Sequence, residues 1–238
     1  EDVGLLPDGR DPHAADGNDP QSTESDIPPA HVITGQTVEE AWREITFWKL
    51  LLPLCTSALV GTGLVFHQFS IFAERGMSGA TAVTILFIQA TMASLGALVF
   101  GYLSDRLAER RLLTLAMVML GTAQLMLTSL DNTTLAAVYG MLLGAQGAIM
   151  RTAGTAVWVN VYGRLHQGAI RGIVLTFQVI ASALGPLPFA LAKDYWGSYS
   201  PANWMLLVLP LGSAIAVWTA QLPSEVTTLA EIPVVAEA

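Results

Sequence analysis

The sequence predicts an all-α membrane protein with six transmembrane helices and both termini on the cytoplasmic side. Three observations carry that expectation. The residues are 53% hydrophobic and 13% charged, where a soluble domain carries about 25% charged residues. Six apolar runs each approach the ~20 residues that a helix needs to cross hydrocarbon. Arginine and lysine gather at alternate ends of those runs, the bias that orients membrane proteins. A spanning segment cannot leave backbone polar groups unpaired, so apolar runs of this length must be helices.

Residues 1–36 are rich in Asp, Pro, Gly and Ser and poor in large apolar side chains. That composition cannot bury enough surface to order itself and predicts a disordered cytoplasmic loop or tail. The N-terminus is polar and acidic, unlike a signal peptide, and a first residue of Glu in place of Met leads us to expect further sequence upstream. Residues 37–46 read as a short interfacial helix. Thr37 and Glu40 have capping-box spacing, and Trp42 and Trp48 have the character of interface anchors.

The spanning domain, residues 47–222, follows as runs at 47–72, 80–103, 112–130, 135–162, 170–192 and 204–222. Pro53, Pro186, Pro188 and Pro210 fall inside them, where they are tolerated and tend to kink the helix. Arg43 and Lys49, then Arg106, Arg110 and Arg111, then Arg164 and Arg171 flank one set of ends; the opposite connections hold only Arg75 and Lys193. Residues 223–238 form a second cytoplasmic tail. The formal net charge of −8 resides mostly in the two tails, so it implies neither a basic partner nor an acidic binding face. The single cysteine, Cys55, excludes an internal disulfide and a Cys-rich metal site. Nothing in the pattern calls for a cofactor or a nucleic acid; the expected partners are the lipid bilayer and a small-molecule solute.

The connection after the second run reads Gly101-Tyr102-Leu103-Ser104-Asp105-Arg106-Leu107-Ala108-Glu109-Arg110-Arg111. It resembles the signature loop of the major facilitator superfamily of secondary transporters, with Ala108 where the family prefers Gly. Two further stretches are similar to the same superfamily. Glu1 to Gly9 looks like the loop joining the two six-helix halves in many bacterial members. Phe47-Trp48, with Tyr162-Gly163-Arg164-Leu165-His166-Gln167-Gly168-Ala169-Ile170-Arg171-Gly172, looks like the monocarboxylate and oxalate/formate porter branches. The resemblance implies that the six runs match the seventh to twelfth helices of a twelve-helix bundle, the first six lying outside this chain. It implies a multi-pass protein of a bacterial inner membrane. It also implies that Gly101, Asp105, Arg106, Arg110, Arg111, Arg164 and Arg171 gate the cytoplasmic side. Glycine there permits close helix approach, and a carboxylate can accept from arginines or from a helix N-terminus.

Arg151 is the one permanently charged side chain deep in an apolar run. Its cost at membrane depth, roughly 2.5–3.5 kcal/mol on insertion scales, marks such a residue as functional. Gly140, Gly144, Gly147, Arg151, Gly154 and Trp158 share a helical stripe at about 100° per residue, and small residues mark the face where helices pack. Arg151 therefore points into the bundle. There its guanidinium suits a carboxylate ligand, or serves structurally by pairing with backbone carbonyls or with a carboxylate of the other half. His67 is read either as a solute or coupling-proton contact or as an interfacial histidine, and its place toward the outer end of its run favours the second. Gln68 borders the His67 face. Gln89 and Gln178 lie on similar inward stripes, as solute contacts or as interhelical glue. Gly185-Pro186-Leu187-Pro188 is a gating break or a static kink.

No Asp or Glu lies at hydrocarbon depth. A proton-coupling carboxylate would therefore come from the absent half; otherwise His67 couples the proton or the protein exchanges counter-anions. The function expected is transport of a small organic anion, a monocarboxylate being favoured, by alternating access. A drug/proton exporter is the alternative. A more remote one is an intramembrane protease of the rhomboid kind, since Gly76-Met77-Ser78-Gly79 matches its G-x-S-G pattern. Ser78 sits in an outer loop with no histidine in a later run to activate it, so no enzyme is expected.

Overall fold

Thr37 opens the first helix of the computed structural model, which describes residues 35–222. Its hydroxyl accepts from the Glu40 amide at 3.3 Å while the Glu40 carboxylate accepts from the Thr37 amide at 2.8 Å. The backbone and hydroxyl of Thr37 hold the Glu40 carboxyl below the usual carboxylate range. Helix α1 (Val38–Arg43) is short and ends where Glu44 turns extended. The expectations for residues 1–34 and 223–238, including the loop-like stretch from Glu1 to Gly9 and the C-terminal tail, lie outside the described residues.

Six membrane-length helical segments follow. They are α2 (Ile45–Glu74), α3 (Gly79–Ser104), α4 (Glu109–Thr128), α5 (Thr133–Tyr162), a segment built of α6 (Gln167–Leu184) and α7 (Pro186–Trp196), and one built of α8 (Ser200–Leu206) and α9 (Val208–Trp218). The last begins four residues before its apolar run because Pro201 is accommodated in a first helical turn, where its missing N–H costs nothing. Glu109-Arg110-Arg111 likewise fold into the first turn of α4.

Packing is uneven. About half of the central residues of α4 are buried (50%) but few of those of α3 (11%) or of the α6–α7 segment (17%). Phe87, Leu98 and Val99 on α3 and Leu175, Val179 and Leu184 on α6 consequently keep exposed apolar faces. Two glycines set the closest crossings. A Cβ on Gly144 would strike the Gln89 carbonyl and lie 2.7 Å from the Met92 Cβ, so α5 lies directly on α3. A Cβ on Gly185 would strike the Leu59 carbonyl, so the α6–α7 break is pressed against α2. Polar pairs join the helices inside the bundle: Thr56–Ser213 at 2.8 Å, Thr62–Ser182 at 2.8 Å and Gln146–Ser57 at 2.7 Å.

The connections sort to two ends, as alternating spans require. At one, the Gln36 amide donates to the Tyr162 carbonyl at 2.9 Å and the Lys49 ammonium to the Thr219 carbonyl at 3.0 Å. At the other, Lys193 pairs with Glu74 at 3.0 Å and Arg75 donates to the Thr128 carbonyl at 2.8 Å.

Candidate functional site

Arg151 stands eleven residues before the end of α5, about 16 Å of helix at 1.5 Å per residue, and so well inside a ~30 Å hydrocarbon layer. Its side chain is exposed and lines a cavity of about 600 Å³ bounded by α2, α3 and α5. One Nη2–H donates to the Ala93 carbonyl on α3 at 3.3 Å. The guanidinium reaches back over Gly147, where a Cβ would lie 3.4 Å from Nη1, because helical side chains lean toward the N-terminus. A guanidinium has five donors. The others have no hydrogen-bond partner among the described residues.

The cavity wall pairs this cation with neutral polar groups. Ser57 and Thr62 come from α2, Gln89 from α3 and Gln146 from α5, while Val65, Phe66, Leu86 and Leu143 supply the apolar part. Gln146 is buried and donates to Ser57. The arrangement offers one charged fork, hydroxyls, an amide and a greasy wall. It can hold a small anion with an apolar body.

The stripe that carries Arg151 does not meet a single neighbour. Gly140 and Gly144 press on Ile85, Gln89 and Met92 of α3, whereas a Cβ on Gly154 would lie 3.8 Å from Leu54 and 3.9 Å from Leu113. Helices cross at an angle, so one face of α5 meets α3 over its first half and α2 and α4 over its second. Trp158, at the end of the stripe, is 1% exposed.

The remaining sequence candidates separate. Gln89 lines the cavity, but its amide donates to Gln68 Oε1 at 2.8 Å. Gln68 is fully buried and faces α3. His67 lies away from the cavity, its Nε2 3.1 Å from the Pro186 carbonyl and its ring beside Phe189 and Tyr199. That carbonyl can only accept, so Nε2 carries the hydrogen. Together with Gly185 on Leu59, this contact fastens the α6–α7 break to α2. Gln178 lines a different cavity, of about 340 Å³, with Thr155, Trp158 and Arg171.

The residues expected to form a gate make few contacts with one another. A Cβ on Gly101 would meet nothing within 4 Å, so the expected close approach is not made inside the described chain. Asp105 caps α3 through its backbone, and its carboxylate has no ion-pair partner among the described residues. Arg106 stacks over Tyr102 at 4.5 Å, and Arg110 lies 5.6 Å from the Trp218 ring. Arg111, Arg164 and Arg171 are exposed. The buried carboxylate of this loop is Glu109, 7% exposed, which accepts from the Asn160 amide near the end of α5. A residue inside a signature loop reads as one more surface charge; only the inward first turn of α4 distinguishes it. Ser78 is engaged as the N-cap of α3, accepting from the Thr81 amide at 3.2 Å.

Comparison with known proteins yields a family match. The model of the family described as Major Facilitator Superfamily matches residues 9–186 and, in an overlapping alignment, residues 54–234. No curated protein matches the chain.

Proposed function

Because the chain belongs to the major facilitator superfamily, and so is a multi-pass transmembrane transporter, we propose that its solute is a small organic anion, a monocarboxylate being favoured. The anion is held by Arg151 and carried by alternating access. The observation that carries this reading is the Arg151 guanidinium, exposed on the wall of the 600 Å³ cavity with a single weak tie to Ala93. An arginine in a span that served only the fold would be expected to have its donors filled by the chain around it. Here most are open toward space large enough for a solute. Gln146, Ser57 and Thr62 supply neutral hydrogen-bonding groups beside it.

The proposal extends to the rest of the machine. The chain serves as the second half of a twelve-helix bundle, its open α3 and α6 faces meeting six helices outside this chain, with the cavity between the halves. The alternation of Arg and Lys supports cytoplasmic termini, and the resemblance to bacterial members supports an inner-membrane location. Asp105 and the surrounding arginines act as the cytoplasmic gate, the carboxylate finding its partner on the other half when that side is shut. His67 is tied to Pro186, which favours a counter-anion, or a carboxylate from the other half, over His67 as the coupling group. Export of a lipophilic solute is the second reading, and the apolar wall at Val65, Phe66 and Leu143 favours it; a guanidinium at the same wall disfavours a lipophilic cation.

Uptake into proteoliposomes, screened over small carboxylates and lipophilic cations with and without a pH gradient, tests the proposal. Arg151→Ala is expected to abolish binding and uptake of the carboxylate, and Arg151→Lys to retain part of both, because a point charge replaces a planar fork. Unchanged binding in both variants removes Arg151 from the site.

A further inference from the structure

A third cavity, of about 380 Å³, opens between α2, α6 and α9, away from the Arg151 site. Leu51, Leu52, Cys55, Phe177 and Ala216 line it, and Lys49 stands at its mouth. Lys49 is the fifth residue of α2, so the apolar lining runs inward from the ammonium to Cys55, about 9 Å deeper along the helix at 1.5 Å per residue. A second cation shares this end. Lys49 donates to the Thr219 carbonyl at 3.0 Å, and Arg110, from α4, donates to the adjacent Trp218 carbonyl at 3.5 Å. Two cations from different helices thus converge on the last carbonyls of α9. Neither has a carboxylate within ion-pair distance among the described residues, whose ion pairs are Arg43–Glu39 and Lys193–Glu74. Lys49 spends one of its three donors on Thr219, and two remain.

We propose that this groove is a binding site for one anionic phospholipid, its phosphate bridging Lys49 and Arg110 and an acyl chain lying along Leu51, Leu52, Cys55 and Phe177. Charge complementarity selects the occupant. A neutral apolar helix would leave both cations facing hydrocarbon, and a free phosphate would leave the apolar groove unfilled. A lipid with a negative headgroup satisfies both, with the headgroup level at the helix ends where Trp42 packs on Trp48 and Arg110 lies over the Trp218 ring. The site does not depend on which side of the membrane this end faces or on what the transporter carries.

The purified protein, reconstituted in vesicles of equimolar phosphatidylglycerol and phosphatidylcholine and re-extracted in mild detergent, tests the site by native mass spectrometry. Preferential retention of phosphatidylglycerol is expected. Lys49→Gln should weaken it about fivefold, the effect of one basic group at a membrane surface, and Lys49→Gln/Arg110→Gln more. Lys49→Arg should keep it. Leu52→Trp, which fills the groove with both cations in place, should displace the lipid. Equal retention of the two lipids, or unchanged retention in the double variant, overturns the proposal. So does full retention in Leu52→Trp, since the lipid would then sit elsewhere.

Discussion

Gln68 and Gln89 show what a polar side chain in a span does and does not reveal. Gln89 lies on an inward stripe of the sequence and Gln68 borders one, and both do face protein: the Gln89 amide donates to Gln68 Oε1 at 2.8 Å in a buried contact between α3 and α2. Periodicity says that an amide faces away from lipid. It does not say whether a neighbouring helix or a solute takes up its donors, and the same ambiguity applies to His67, whose Nε2 lies 3.1 Å from the Pro186 carbonyl. Gln146 is hidden from the sequence for a different reason. It stands off the Gly140–Gly144–Gly147–Arg151 stripe and is reached by Ser57 of α2, which no pattern within α5 announces. The glutamine pair makes a testable statement. Interhelical hydrogen bonds in membranes are worth about 0.6 kcal/mol on average and up to about 1.7. Gln68→Leu and Gln89→Leu should each lower stability by roughly 1 kcal/mol, and the double variant by about as much as one of them, since it leaves no orphaned partner. Thermal unfolding in detergent reads this directly. Additive losses would mean that the two amides do not depend on each other.

At the scale of elements, the number and order of spans were legible because hydrocarbon permits little else; their ends were not. Pro201 extends the last span backward by taking a first-turn position, and Glu109 carries α4 into residues that composition assigns to a loop. The α6–α7 break was visible as Gly185-Pro186, but its nature was not. Gly185 keeps helical dihedrals, φ −54° and ψ −48°, and packs closely against Leu59 and Gly63 of α2. The turn after α5 has a sharper requirement. Gly163 adopts φ 76° and ψ −173°, a conformation nearly exclusive to glycine, and its neighbour Tyr162 accepts from the Gln36 amide. Gly163→Ala should therefore cost about 1–3 kcal/mol. Gly172→Ala, where a Cβ meets nothing within 4 Å, should be close to neutral or slightly stabilising to its helix. Equal unfolding temperatures for the two variants would remove the conformational argument.

Across the whole molecule, Arg151 organises the account because every other feature of its cavity is neutral. Its depth and its inward stripe could be read from the sequence; the cavity could not, because it forms where α2, α3 and α5 enclose a space that no single helix encodes. Asp105 has no ion-pair partner among the described residues, and α3 and α6 keep exposed apolar faces; both are surfaces on which the proposed second set of six helices would pack. Water access from one side and competition by an anion are the properties that separate a solute site from a structural arginine. Gly61 lines the cavity, and a Cβ there meets nothing within 4 Å, so a cysteine fits without disturbance. The decisive measurement is the rate at which a membrane-impermeant thiol reagent labels Gly61→Cys in a Cys55→Ser background, with and without small carboxylates. Labelling slowed by a carboxylate, and no longer slowed once Arg151→Ala is added, is the predicted result. Labelling that no carboxylate slows, or that it slows equally without the guanidinium, contradicts the account.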